Sequence, residues 1–151
     1  MTIHEHVVAA RSRLEHAGIE TGNAGIDAEV LARHALGWNR AYYFSHRHDV
    51  PHLSFDSCFE NLIARRERRE PLAFITGTRE FWSLQFDVSE AVLIPRPETE
   101  IIVRTVLDTN PDRTASLRIV DVGTGSGCLA VSLATEFPNA QILATDVSSA
   151  A

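Results

Sequence analysis

Between Leu117 and Asp146 the chain alternates strand, glycine loop, helix and strand, and few folds accept that order. Leu117-Arg118-Ile119-Val120-Asp121-Val122 reads as a buried strand and runs directly into Gly123-Thr124-Gly125-Ser126-Gly127. Cys128 to Phe137 then reads as a helix, with Leu129, Ala130, Leu133 and Ala134 available for packing. Pro138-Asn139 is a turn, and Ala140 to Thr145 is a second strand ending at Asp146. Strands joined through a helical crossover pair in parallel, so the pattern predicts a βαβ unit.

The loop between strand and helix suits a ligand. Glycines let backbone N–H groups approach a bound molecule, and the helix N-terminus adds partial positive charge. Two nucleoside cofactors compete for such a loop. The dinucleotide fingerprint Gly-x-Gly-x-x-Gly would place its third glycine at 128, where this chain has Cys128, and the third glycine comes one residue early at Gly127. Asp121 before the loop is typical of an S-adenosylmethionine loop, in which no pyrophosphate needs space. Asp146, at the end of the second strand, is placed to accept hydrogen bonds from both ribose hydroxyls. The reading favours S-adenosylmethionine over NAD.

The first seventy residues read as helices. Thr2-Ile3-His4-Glu5 fits a capping box, followed by Val7, Ala10, Leu14 and Ala17 at helical spacing and Gly18 as a stop. A second helix is expected over Ile26 to Leu36, with Ile26, Val30, Leu31 and Ala35 on its apolar face, and a third over about Asp56 to Glu70. Residues 38–53 read as a short helix plus loop. After Pro71, Glu80 to Val88 alternates apolar and polar as one half-buried strand, with Phe74-Ile75-Thr76 as its hairpin partner. Pro95-Arg96-Pro97 opens a helix whose buried face is Ile101, Ile102, Val106 and Leu107. Residues 108–116 are a connector.

Composition narrows the function classes. The 14 basic residues, all Arg, against 20 acidic ones give a net charge of −6, which argues against bulk electrostatic binding to nucleic acid or an anionic membrane. The absence of Lys excludes lysine-amine catalysis. Cys58 and Cys128 form neither a disulfide framework nor a zinc cluster, and no signal peptide or membrane span is visible, so the expected location is the cytoplasm.

Three strings then carry a specific resemblance: Arg69-Glu70-Pro71-Leu72-Ala73-Phe74-Ile75-Thr76-Gly77, Arg79-Glu80-Phe81-Trp82-Ser83-Leu84, and Leu93-Ile94-Pro95-Arg96-Pro97-Glu98-Thr99-Glu100. With the loop Val120 to Gly127 in the same order, they resemble the peptide-chain release factor glutamine N(5)-methyltransferases of the HemK/PrmC type. The resemblance covers about Asp27 onward, most densely from 69. It implies an α + α/β protein: a small helical substrate-recognition domain over 1–70, a β-hairpin linker over 71–95, and over 96–151 the first βαβ of a Rossmann-like class I methyltransferase domain.

The implied activity is transfer of the methyl of S-adenosylmethionine to the glutamine amide of the Gly-Gly-Gln motif in class-1 release factors. Gly123, Thr124, Gly125, Ser126 and Gly127 would cradle the cofactor's methionine part and Asp146 its ribose. Asp121 would order the loop or meet the amino group. Arg96, Thr99 and Glu100 form a second tier of contacts, with helix-dipole complementarity an equal account of Glu98 and Glu100. The family's catalytic Asn-Pro-Pro-Tyr has no counterpart here, since Asn110-Pro111-Asp112 lies before the loop in a connector. The expectation is the front half of an enzyme, with no catalytic residue and no activity by itself. An NAD-dependent oxidoreductase and a non-catalytic, truncated binding module are the rival readings.

Other features are assigned blander roles. Arg65-Arg66-Glu67-Arg68-Arg69 is read as a solvated helix face in preference to a surface for RNA or an acidic partner. His46, His48 and His52 have loose metal-like spacing, but with no Cys nearby and no helix placing two of them at i and i+4, no metal is expected. Trp38, Tyr42, Tyr43 and Phe44 are read as packing. Cys128, near a helix start, is read as a small packed side chain in preference to a thiol of lowered pKa.

Overall fold

The computed structural model describes residues 1–151, which form two compact units, Met1–Thr76 and Gly77–Ala151. No helix is long and apolar enough to cross a membrane.

The first unit is helical. Helix α1 (Ile3–His16) starts at the expected capping box: the Glu5 N–H donates to Thr2 Oγ1 at 3.3 Å, and the Thr2 N–H donates to Glu5 Oε2 at 2.8 Å. Its Ile3, Val7, Ala10 and Leu14 form the buried stripe. Helix α2 (Thr21–Leu36) begins earlier than expected and is rotated. Ala24, Asp27, Ala28, Leu31 and Ala32 are buried, whereas Ile26 is 60% exposed. The apolar pattern missed this because the buried face includes a charge. Asp27 Oδ2 accepts from Arg66 Nε at 2.7 Å, and Arg66 Nη1 also donates to the Glu70 carbonyl. Helix α3 (Arg40–His46) is capped by Asn39, helix α4 (Leu53–Glu67) by His52, and Phe55, Phe59, Leu62 and Ile63 of α4 close the core.

Two expectations fail after Pro71. Phe74-Ile75-Thr76 is not a strand but lies in helix α5 (Leu72–Thr76), because the Phe74 and Ile75 N–H groups both reach the Pro71 carbonyl. The single strand expected over 80–88 is itself a hairpin of β1 (Thr78–Phe81) and β2 (Leu84–Asp87). Trp82 and Ser83 make its turn at φ 53° and 60°, the left-handed pair that a two-residue hairpin needs. The alternation Trp82, Leu84, Phe86 and Val88 belongs to the turn and β2 alone; across the turn the facing residues change parity, Phe81 pairing with Leu84 and Arg79 with Phe86. The boundary between the two compact units falls at Thr76–Gly77, and Phe81 and Phe86 of the hairpin join the core of the second unit.

In that unit Pro97–Thr99 forms a short 3-10 turn leading into α6 (Glu100–Thr109). Val103 of α6 is fully buried, while Ile101 and Ile102, expected inside, are 66% and 46% exposed. Strands β3 (Arg118–Val122) and β4 (Gln141–Thr145) pair in parallel from Arg118↔Gln141 to Val122↔Thr145, joined through α7 (Cys128–Glu136). Phe81, Phe86, Val103, Leu133 and Phe137 make the core, with Ile119 and Ile142 packed from the sheet. The opposite sheet face carries exposed Val120, Val122 and Leu143.

Candidate functional site

Strand β3 delivers Asp121 to the mouth of the glycine loop, and β4 delivers Asp146 beside it. The loop is closed onto the end of β4 by two bonds to one acceptor: the Gly123 and Thr124 N–H groups donate to the Thr145 carbonyl at 2.8 and 3.0 Å. Thr124 Oγ1 donates to Asp121 Oδ2 at 2.8 Å, tying the loop to the end of β3. Gly123, Gly125 and Gly127 all have positive φ, at 77°, 54° and 76°. An L side chain is strained in that region, so the glycines are conformational necessities as well as openings. A methyl group on Gly123 would meet nothing within 4 Å, leaving that side open to a ligand.

The Asp146 carboxylate faces the loop. Its Oδ2 accepts from the Gly125 N–H at 2.9 Å and its Oδ1 from the Ser148 N–H at 2.9 Å. These backbone donors, Ser148 first and Gly125 next, hold its carboxyl below the ordinary aspartate range. The ionised form keeps lone pairs on both oxygens for further donors.

The structure brings Asp121, the five loop residues and Asp146 together, and the second-tier residues make contacts of their own. Arg96 and Thr99 are joined by a backbone turn ahead of α6, and Glu100 Oε1 accepts from the Trp82 N–H at 3.1 Å, holding the hairpin. The Trp82 indole N–H donates to Glu136 Oε1 at 2.7 Å on the other side of the same turn. Asn110 caps α6 through Nδ2 to the Val106 carbonyl. Cys128 is half-buried, and burial pushes its thiol up, overriding any lowering by the helix start.

In the first unit three arginines of the basic cluster have partners within the unit, and Arg68 is exposed. Arg65 pairs with Glu70, Arg66 with Asp27, and Arg69 Nη1 donates to the Gly18 carbonyl. His46 Nδ1 bonds the Tyr42 carbonyl and His52 caps α4. Tyr43 is buried, but Tyr42 and Phe44 are 47% and 44% exposed, so only part of the aromatic group serves packing.

Sequence reasoning missed one part of the site. Residues Asp87, Val88, Ser89 and Val92, which follow β2, line a cavity of about 300 Å³ together with Gly125 and Ser126. The short polar turn at Ser89 was its only local signal.

A helical unit and a second unit with a glycine-loop βαβ define an α + α/β protein containing the start of a methyltransferase fold. Residues 5–77 match the PrmC N-terminal domain. The chain is 45% identical over 126 residues to a release factor glutamine methyltransferase of Burkholderia pseudomallei, covering 83% of this chain and 44% of that protein. To the protein of that name from Koribacter versatilis it is 40% identical over 148 residues, 98% of this chain and 52% of the relative. The Escherichia coli K12 relative, of the same name, is 42% identical over 122 residues, 80% of this chain and 43% of its own. The chain thus spans about half the length of the curated relatives it matches. Its residues match the N-terminal portion of the PrmC family, whose curated members are named release factor glutamine methyltransferases.

Proposed function

We propose that the chain holds S-adenosylmethionine for methylation of a glutamine side-chain amide, in the Gly-Gly-Gln motif of class-1 release factors. The observation that carries this reading is the pair of carboxylates at the loop. Gly125 N–H, which a pyrophosphate would need, faces Asp146 at 2.9 Å, and Asp121 bonds Thr124 from below. A pyrophosphate placed there would meet two like charges, whereas a cofactor bearing ribose hydroxyls, an ammonium and a sulfonium would meet opposite charge or acceptors. The relatives' printed name supports the same choice.

Bound S-adenosylmethionine supplies an electrophilic methyl group on sulfur. The chain's own residues bind and orient: Gly123 to Gly127 present backbone N–H groups and open space, Asp121 holds the loop's shape, and Asp146 takes the ribose hydroxyls. An amide nitrogen is a poor nucleophile because its lone pair is delocalised, so holding it in line with the methyl group is the principal demand on the enzyme. No residue among the 151 is assigned to that task. In this reading the helical unit docks the protein substrate, and the reaction takes place in the cytoplasm.

The test is transfer of labelled methyl to a class-1 release factor by these 151 residues joined to the remaining half of one of the full-length relatives above. Label located by mass spectrometry on the Gly-Gly-Gln glutamine, and lost when that glutamine is replaced by alanine, supports the proposal. Label elsewhere, or none, contradicts it.

A further inference from the structure

The cavity against Gly125 and Ser126 has a second wall, the segment from Asp87 to Val92. That wall is held from both ends. At its start, the Val88 N–H donates to the Gly77 carbonyl at 2.9 Å, fastening it to the base of the hairpin. Val88 itself is buried, so the segment is anchored by packing as well as by this bond. At its turn, Ser89 makes two bonds: its Oγ accepts from the Ala91 N–H at 3.2 Å, and its carbonyl accepts from the Val92 N–H at 3.1 Å. The outcome of this turn is the position of Val92, whose Cβ would stand 4.0 Å from a methyl group added at Gly125.

We infer that Ser89 is a positioning residue of the glycine-loop site, folding the Asp87–Val92 segment so that Val92 packs beside Gly125 and forms the apolar flank of the cavity there. The inference rests on the cofactor reading above. A nucleoside amino acid lying along the glycine loop then meets Val92 at its flank in place of water. Two properties make the side chain of Ser89 the controlling element. The Ala91 N–H has no other acceptor among the hydrogen bonds of the segment, and an oxygen two residues back is the geometry that serine, threonine, asparagine and aspartate share. Alanine lacks that oxygen and frees the turn; asparagine restores it.

The experiment is calorimetric titration of S-adenosylhomocysteine, an unreactive probe, into the full chain and its variants, with thermal unfolding measured alongside. Ser89→Ala is expected to weaken binding by about three- to tenfold, the loss of one ordinary hydrogen bond, with an unfolding midpoint close to the parent's. Ser89→Asn is expected to restore affinity, a rescue that a purely structural loss would not give. Asp146→Ala and Gly125→Val report on the cofactor reading itself. If these two weaken binding while Ser89→Ala does not, the wall assignment falls and the cofactor reading stands. If they leave binding unchanged, or the parent chain does not bind, both fall.

Discussion

The backbone N–H of Gly125 donates to the Asp146 carboxylate at 2.9 Å, tying the crest of the glycine loop to the residue that follows β4. One carboxylate therefore fixes the loop and faces the space where a nucleoside cofactor would lie. Because its backbone donors favour the charged form, the Asp146 carboxyl sits below its ordinary value of 3.8. A lowered carboxyl contributes stability that is present above the ordinary value and lost only as pH falls through the folded one. Carbon-detected NMR of Asp146 should give a midpoint below 3.8, with the Gly125 amide shift following it. A midpoint at or above the ordinary value would contradict the loop geometry.

The Asp27–Arg66 pair joins α2 to α4 with little solvent at either side chain, 9% and 16% exposed. Removing one member leaves an uncompensated charge, so Arg66→Ala should lower stability by about 3–5 kcal/mol. Replacing both, as Asp27→Leu with Arg66→Met, should recover most of that loss. Urea unfolding distinguishes the outcomes, and an equal loss in the double variant would show that the pair's packing matters more than its charge.

Ser132 Oγ in α7 is fully enclosed and has no hydrogen-bond partner. An unpaired buried hydroxyl is costly and alanine is the better helix former, so Ser132→Ala should raise stability by roughly 1 kcal/mol. A decrease on chemical denaturation would mean that the hydroxyl is satisfied in solution.

The hairpin turn holds two side chains at positive φ, Trp82 and Ser83. Ser83 gains no bond from that geometry, so Ser83→Gly should raise stability by roughly 0.5–1 kcal/mol. Trp82 is different, because its backbone and indole N–H groups reach Glu100 and Glu136. Trp82→Phe keeps the ring and loses the indole bond, and it should lower the unfolding midpoint. A neutral result for Trp82→Phe would remove Glu136 from the account of the hairpin.

The βαβ unit was legible because its signals are local: an apolar strand, alternating glycines and an acidic residue at each strand end, Asp121 and Asp146. Helix α1 was legible for the same reason, through Thr2 and Glu5. Other features depend on partners distant in sequence. The rotation of α2 follows from Arg66 reaching Asp27, and periodicity treats a buried aspartate as a surface residue. The hairpin was hidden because Trp82-Ser83 carries neither Gly nor Asn, the usual mark of a left-handed turn, and because the alternation from Trp82 through Leu84 and Phe86 to Val88 runs unbroken from the turn into β2. That Glu100 holds Trp82 was not legible either, because the two residues meet only through the fold of the hairpin against α6. Ser89 and Val92 carried no ligand-binding signature, since their part in the cavity depends on where β2 ends.

The central claim is that the glycine loop and Asp146 select S-adenosylmethionine. It is tested most directly by titrating the full chain, in parallel, with S-adenosylmethionine and with NAD, and repeating both with Asp146→Ala. The account predicts saturable binding of S-adenosylmethionine, weakened roughly tenfold or more in the variant by loss of charge-assisted hydrogen bonds, and no binding of NAD. Tighter binding of NAD, or S-adenosylmethionine affinity indifferent to Asp146, would contradict it.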